Sequence, residues 1–305
     1  MRIGLIGCGR WGRNILRDLN VLNALVTVID PDGEARRYAS ANGADAVFDA
    51  VNHARDIDGW IVATPSTSHA KVIDILLPAG VPIFCEKPLT CDPLSAHRIA
   101  ESAAEQVFVM DKWRYHAGVL ELGRIARAEA LGPVQGVVSR RLAWGHDHAD
   151  ADLAWILLPH EFSIAHEILG EKPTPVFAVA EADAGMLRAM TVLSRGTNWH
   201  LSEIGSRTEK RERRVELRCR DGVAILANAD DAFISMIRNP ERAVGPPEIE
   251  RIAIGATAPL YAELVAFIAY LRGGPRPKSS VAEGASVVAS IALARELAGL
   301  AVPRP

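Results

Sequence analysis

The chain has 305 residues, of which 49% are hydrophobic and 23% charged, and its formal net charge is -3. That balance is ordinary for a globular protein, and the length predicts about two domains. It leaves no basic field through which nucleic acid would bind, and no apolar run approaches the ~20 residues that span a bilayer. Four scattered cysteines (Cys8, Cys85, Cys91, Cys219) without C-x-x-C spacing read as free thiols. With no cleavable leader before the first apolar run, the expectation is a cytoplasmic protein.

The first apolar run, residues 2–6, leads into Gly7-Cys8-Gly9-Arg10-Trp11-Gly12. This is the G-x-G-x-x-G spacing that turns tightly, lets backbone approach a pyrophosphate and packs a helix closely on a strand. A helix is predicted over 14–22, with Leu16 and Leu19 on its buried side, and a second strand over 25–29. Asp30 ends that strand roughly twenty residues after the glycines, where an acid receives the ribose hydroxyls of NAD. NAD is therefore expected over NADP. Arg36 and Arg37 could meet a 2′-phosphate, but Asp30 would repel it, and a helix surface is the simpler reading.

Residues 34–41 read as helix and 46–48 as a third strand. Residues 60–63 form an unbroken apolar run, as in a strand buried on both faces of a parallel sheet. The hydroxyls of Thr64-Pro65-Ser66-Thr67-Ser68-His69 are expected to cap a helix running to Leu77, which Pro78-Ala79-Gly80 stops. Residues 81–85 form the next strand, followed at once by Glu86-Lys87-Pro88. Asp92-Pro93 is an N-cap with proline at the first helical position; the helix runs to about 105, and 107–110 is a strand. Strands alternating with helices imply right-handed βαβ units and a doubly wound parallel sheet.

The pattern changes near Tyr115. A helical segment over 117–130 ends at Leu131-Gly132-Pro133, residues 134–144 have strand character, and 153–169 are helical. Strands are predicted over 176–182, 187–194, 198–204, 214–219 and 224–227, with Asp221-Gly222 as a hairpin turn. Consecutive strands without helices between them predict an open, mostly antiparallel sheet. Helices over 259–271 and 281–298 close the chain.

A glycine-loop Rossmann domain, Glu86-Lys87-Pro88 after its fifth strand, and His160 opening a helix together resemble the Gfo/Idh/MocA family of glucose–fructose oxidoreductases and inositol dehydrogenases. Further likeness lies in Ala63-Thr64-Pro65 with His69, in Arg114-Tyr115-His116, in Leu131-Gly132-Pro133 and in Glu283-Gly284. Arg10-Trp11-Gly12-x-Asn14 and Trp155…Pro159-His160-Glu161-x-Ser163-Ile164 are most similar to the sugar-nucleotide 3-dehydrogenase branch. The resemblance implies an α/β Rossmann domain over 1–116 and a substrate-binding and oligomerisation α+β domain over 117–305, with a C-terminal helix packing back on the first. It implies a homodimer or homotetramer assembled through the C-terminal sheet.

The resemblance also implies a cofactor set of Gly7, Gly9, Arg10, Trp11, Gly12, Asp30, Thr64, Pro65, His69, Glu86 and Lys87, with Lys87 and His160 catalytic. Oxidising a secondary alcohol sends hydride to a nicotinamide and needs a group to take the hydroxyl proton. Lys87 beside a cationic nicotinamide is expected to have a lowered pKa, and a histidine titrates near neutrality. Arg114, Tyr115, Trp155 and Glu161 are candidate substrate residues, with packing as the alternative reading of the first three. The expected activity is an NAD(H)-dependent oxidoreductase acting on a sugar or sugar-nucleotide secondary alcohol.

One departure stands out. Many relatives carry an aspartate four residues before the catalytic histidine, and here that position is Ile156. The departure keeps a second expectation open, a catalytically weakened dinucleotide-binding sensor or partner-binding protein. His146-Asp147-His148-Ala149-Asp150-Ala151-Asp152 has ligand chemistry but no standard zinc spacing, so no metal is expected. Lys210-Arg211-Glu212-Arg213-Arg214 reads as an exposed turn and strand start.

Overall fold

The computed structural model describes residues 1–145, 151–238 and 247–301. The chain forms two compact units, one of Met1–Lys112 with Leu260–Val288, the other of Trp113–Pro259 with the segment that begins at Ala289.

The first unit is built on six parallel strands: β1 (Arg2–Ile6), β2 (Leu25–Ile29), β3 (Ala46–Phe48), β4 (Gly59–Val62), β5 (Ile83–Glu86) and β6 (Val107–Met110). Their order in the sheet is β3-β2-β1-β4-β5-β6. The strand order reverses between β1 and β4, and such sheets bind ligands at the carboxyl ends of the strands around that point. The helices are α1 (Arg10–Val21), α2 (Gly33–Ala41), α3 (His69–Leu76) and α4 (Pro93–Ser102). Ile3, Leu5, Val26, Val28, Ile61, Phe84 and Phe108 from the strands meet Ile15, Leu16 and Leu19 of α1 in one core. Helix α7 (Pro259–Leu271) returns to that core through Leu260, Leu264, Phe267 and Ile268, with Phe267 stacked on Phe84 at 4.8 Å between ring centres.

Capping follows the sequence in two places and departs from it in a third. Asp32 accepts from the amides of Glu34 and Ala35 at the start of α2, and Asp92 from those of Leu94 and Ser95 at the start of α4. Ser68, the N-cap of α3, makes no side-chain cap bond. The Ser68 hydroxyl instead donates to Thr64 Oγ1 (2.8 Å) and to the Pro65 carbonyl (2.7 Å), folding the 3₁₀ turn that precedes the helix. Helix α1 starts at Arg10 rather than at 14, so the last glycine of the loop is already helical.

The second unit carries an eight-stranded sheet in the order β14-β13-β12-β11-β7-β10-β9-β8. Its strands are β7 (Val134–Trp144), β8 (Thr174–Asp183), β9 (Met186–Arg195), β10 (Trp199–Gly205), β11 (Arg207–Cys219), β12 (Gly222–Leu226), β13 (Phe233–Arg238) and β14 (Ile249–Ala253). All neighbours run antiparallel except β7 and β10, which pair parallel. Helices α5 (Ala117–Arg127) and α6 (Leu153–Leu169) supply Val119, Leu122, Ile125, Ile164 and Ile168 to a core with Val137, Val215, Leu217 and Leu226. Outside that core, β8 and β9 leave Phe177, Val179 and Met186 exposed.

Two expectations are corrected in this sheet. Lys210–Arg214 is not a turn and strand start but the middle of β11, which begins at Arg207 and passes through a register shift before Glu212. Strands β13 and β14 were not foreseen. Ile234 and Met236 do alternate inward on β13, whereas β14 is an edge strand with little buried surface to mark it. Helix α8 (Val281–Leu297) opens on a capping box in which the Glu283 carboxylate accepts from the Ser280 amide (2.7 Å) and the Glu283 amide donates to the Ser280 hydroxyl (3.2 Å). Gly284 follows because a Cβ there would stand 2.5 Å from Val109.

Candidate active site

In the first unit, the candidate residues come from the carboxyl ends of four adjacent strands, β2, β1, β4 and β5. The glycine loop leaves β1, and Gly7 turns with φ of +92°, a conformation that L side chains rarely adopt. A Cβ on Gly7 would also lie 2.6 Å from the Ala63 carbonyl oxygen, and one on Gly12 would collide with the carbonyl oxygen of Gly7. At Gly9 a Cβ would meet nothing within 4 Å, so the fold itself does not demand glycine there. No side chain caps the start of α1, and Arg10 is exposed in its first turn. Open space at Gly9 before an uncapped helix N-terminus fits a pyrophosphate.

Asp30 is nearly buried. Its carboxylate accepts from the Cys8 amide (2.7 Å) and from the Asp32 amide (2.9 Å), which ties the glycine loop to the end of β2. A carboxylate offers about four lone-pair positions, so two remain for ribose hydroxyls. Arg36 turns back onto the carbonyls of Asp30 and Pro31, at 2.8 Å each.

Thr64 and Pro65 follow β4, half-buried and exposed respectively. His69 is buried, with Nδ1 at 2.8 Å from the Pro88 carbonyl oxygen and Nε2 at 3.0 Å from that of Thr64. It therefore clips the β4 loop to the bend after β5. Glu86 ends β5, Lys87 follows half-buried, and the Lys87–Pro88 peptide is cis.

Trp11 Nε1 donates to Glu86 Oε1, and the Lys112 ammonium sits 4.0 Å from the centre of the Trp11 ring. Burial raises the Glu86 carboxyl above its ordinary pKa, against the pull of Lys87, Lys112 and the Trp11 bond. Glu263 of α7 lies in the same electrostatic neighbourhood, fully buried, with neither carboxyl oxygen hydrogen-bonded. Burial, then the charge of Glu86, push it well above the usual carboxylate range.

In the second unit, His160 lies on α6, largely buried, with its ring edge-on to Trp113 at 6.4 Å between centres. Ile156 occupies the preceding turn of the helix and is buried too. Glu161, the carboxylate next to His160 in sequence, is committed elsewhere: Arg141 Nε donates to it at 2.5 Å, both groups buried. The Arg141 guanidinium lies over the Trp113 ring at 4.5 Å. Arg114 pairs with Glu167 at 3.1 Å, Tyr115 is half-buried, and Trp155 is buried.

Among the described residues, no group of three His, Cys, Asp or Glu side chains is placed to hold a metal ion. His146, Asp147, His148 and Asp150 lie outside the described residues. No helix among the described residues is long and apolar enough to cross a membrane. Sequence reading missed Lys112, Glu263, Arg141 and Arg213, whose setting depends on which elements are neighbours. For Lys112 the available signal was its position just past a strand end; for the others there was none.

Comparison with known proteins agrees with this layout. Residues 1–110 match the model of the GFO_IDH_MocA oxidoreductase family, described as an NAD-binding Rossmann fold. Inositol 2-dehydrogenase 4 of Saccharopolyspora erythraea is 31% identical over 61% of this chain and 60% of its own length. UDP-N-acetylglucosamine 3-dehydrogenase of Acidithiobacillus ferrooxidans is 27% identical over 65% of this chain and 64% of its own. These matches thus span under two thirds of either relative. A crystal structure of the latter enzyme covers 97% of both chains with a TM-score of 0.84 at 21% identity, a likeness of fold. The glycine cradle with its acid, the strand order and the matched family model lead to one conclusion: residues 1–110 form an NAD-binding Rossmann fold similar to that of the Gfo/Idh/MocA oxidoreductase family.

Proposed function

We propose that the protein is an NAD(H)-dependent dehydrogenase acting on a secondary alcohol, or in reverse a ketone, of a sugar or sugar nucleotide. The observation that carries this reading is the convergence of the glycine loop, the Thr64-Pro65 loop and Lys87 on the carboxyl ends of adjacent strands β1, β4 and β5. Gly7, Gly9, Gly12 and the start of α1 would hold the pyrophosphate, with Asp30 taking the ribose; Trp11, Thr64, Pro65 and Glu86 flank the cofactor, and His69 holds two of its loops together. NAD held there would supply the acceptor for the hydride of the alcohol carbon. The chain's own task is then the hydroxyl proton.

Lys87 is the proposed hydrogen-bonding and proton-relaying group, and His160 the acid/base. Arg114, Tyr115 and Trp155 stay candidates for the substrate side, although Arg114 is already paired with Glu167. Lys87→Ala should lose at least 100-fold in kcat while NADH still binds with near wild-type affinity by fluorescence titration. Undiminished turnover in that variant overturns the assignment.

A second reading, a dinucleotide-binding sensor with weakened catalysis, is favoured by Ile156 and by the engagement of Glu161 with Arg141. Saturable NADH binding by the wild-type protein, without turnover of any sugar or sugar nucleotide, would select it. Self-association through the exposed face of β8 and β9 is part of the same proposal.

A further inference from the structure

Strands β7 and β11 place two arginines directly opposite each other, Arg141 against Arg213. Residues opposed in an antiparallel pair have Cβ atoms about 5 Å apart, and like charges there are destabilising. The alternation of each strand puts this pair on the face that also carries Ser139, Val137, Val215 and Leu217, all buried. The neighbouring pair on the opposite face, Arg140 against Arg214, shows how the same sheet handles the problem when only structure is at stake. Arg140 has Glu203 at 3.1 Å and Glu212 at 3.8 Å, and Arg214 has Glu216 at 2.7 Å. Two arginines are laced there by three carboxylates.

On the inner face the matching fails. Glu161 answers Arg141, while no side-chain hydrogen bond or ion pair holds the Arg213 guanidinium among the described residues. Its guanidinium is pushed down to about 10, by burial first and then by Arg141 and Arg211, against the weaker pull of Asp230 and Glu161. It is charged at neutral pH, held partly out of water, and faces another cation. Arg141 in turn stacks on Trp113, whose ring meets that of His160, so the uncompensated charge lies in the neighbourhood of the proposed acid/base within the same unit.

We propose that Arg141 and Arg213 form a subsite for an anionic group of the substrate, a carboxylate or a phosphoryl oxygen pair, beside His160. A planar guanidinium fork matches both groups in bidentate fashion. An anion between the two forks converts a repulsive cross-strand pair into an attractive three-membered cluster. The site therefore selects charged sugars, uronates or sugar nucleotides, over uncharged polyols. This inference rests on the dehydrogenase reading for its location beside the reacting group, but not for the binding itself.

The test compares wild type, Arg213→Gln and Arg213→Lys with three probes: glucuronate as a carboxylate, UDP-N-acetylglucosamine as a diphosphate, and glucose as the uncharged control. The expectation is that wild type favours one anionic probe in kcat/KM, and that Arg213→Gln raises KM for it by about 10- to 100-fold, with Arg213→Lys recovering part of the loss. The probe that responds identifies the source of the charge. The ligand-free Arg213→Gln protein should melt at a higher temperature than wild type, because a like-charge pair is gone; an arginine with a structural role would lower it.

An unchanged preference between charged and uncharged probes, or a lower melting temperature without loss of anion binding, overturns the proposal. If no probe is turned over with NAD, the dehydrogenase reading fails while the subsite is still decided by titration calorimetry. Binding of either anionic probe to wild type, weakened in Arg213→Gln, supports it, and no such binding refutes it.

Discussion

An added Cβ at Gly12 would run into the carbonyl oxygen of Gly7, whereas at Gly9 it would enter empty space. The two glycines therefore separate folding from binding. Gly12→Ala must push apart the turn and the helix, an overpacking that costs about 1–3 kcal/mol and shows as a melting temperature lower by several degrees. Gly9→Ala should fold with its melting temperature nearly unchanged and bind NADH at least about tenfold more weakly, roughly 1.4 kcal/mol, since the methyl takes space the pyrophosphate needs. Fluorescence titration alongside thermal melting checks both. Equal binding by Gly9→Ala and wild type would place the phosphates elsewhere, and tighter binding of NADPH than of NADH would mean that Asp30 does not take the ribose. These residues were legible in the sequence because their geometry is local. Glu263 was not legible: its burial beside the charge of Glu86 depends on α7 packing against strands some 150 or more residues earlier in the chain.

At the scale of elements, the sequence marks what periodicity and punctuation can mark. Helices α6 and α7 run over the residues expected, and Asp92 caps α4 as its pairing with Pro93 predicts. The failures share a physical cause. The run Lys210–Arg214 looks like solvated loop because charge hides alternation; register sends Arg213 to one face of β11 and Glu212 and Arg214 to the other. Likewise the hydroxyls after β4 fold into their own turn, the Ser68 hydroxyl donating to Thr64 Oγ1 and the Pro65 carbonyl and accepting from no helix amide. The sheet face bearing Phe177, Val179 and Met186 leads to a prediction at this level. Light scattering at micromolar concentration should report a dimer or larger for the wild-type protein, and Phe177→Lys should shift it towards monomer, since a charge there would be buried without a partner. A monomeric wild type overturns the assembly.

At the scale of the whole molecule, each unit holds a buried titratable group whose shift runs opposite to that of the other, Glu263 in the first and His200 in the second. In the second, His200 is fully buried, hydrogen-bonded through Nε2 to the Ser139 hydroxyl at 2.9 Å, and burial lowers its pKa to about 3. The unfolded histidine takes up a proton near pH 6.5, so this unit loses stability as pH falls from there towards 3. In the first, Glu263 keeps its proton where the unfolded chain has released it, so that unit loses stability as pH rises above about 4.5. Each contributes up to about 1.4 kcal/mol per pH unit within its window. Melting curves from pH 4 to 8 should therefore show Glu263→Gln flattening the decline on the alkaline side, by about 3 °C per pH unit, and His200→Gln flattening the acid side. Parallel curves for variant and wild type would show that the group is already solvated in the native state.

The first unit also has a consequence for synthesis. Its core needs Leu260, Leu264 and Phe267, yet its six strands are complete by Met110. A ribosome adding about 5–20 residues per second leaves this sheet waiting on the order of 10–30 seconds for α7, with Phe84 lacking its stacking partner throughout. A nascent chain stalled in that interval presents apolar surface that chaperones recognise, and a fragment ending at Lys112 should emerge as a chaperone client rather than as a free dinucleotide-binding protein.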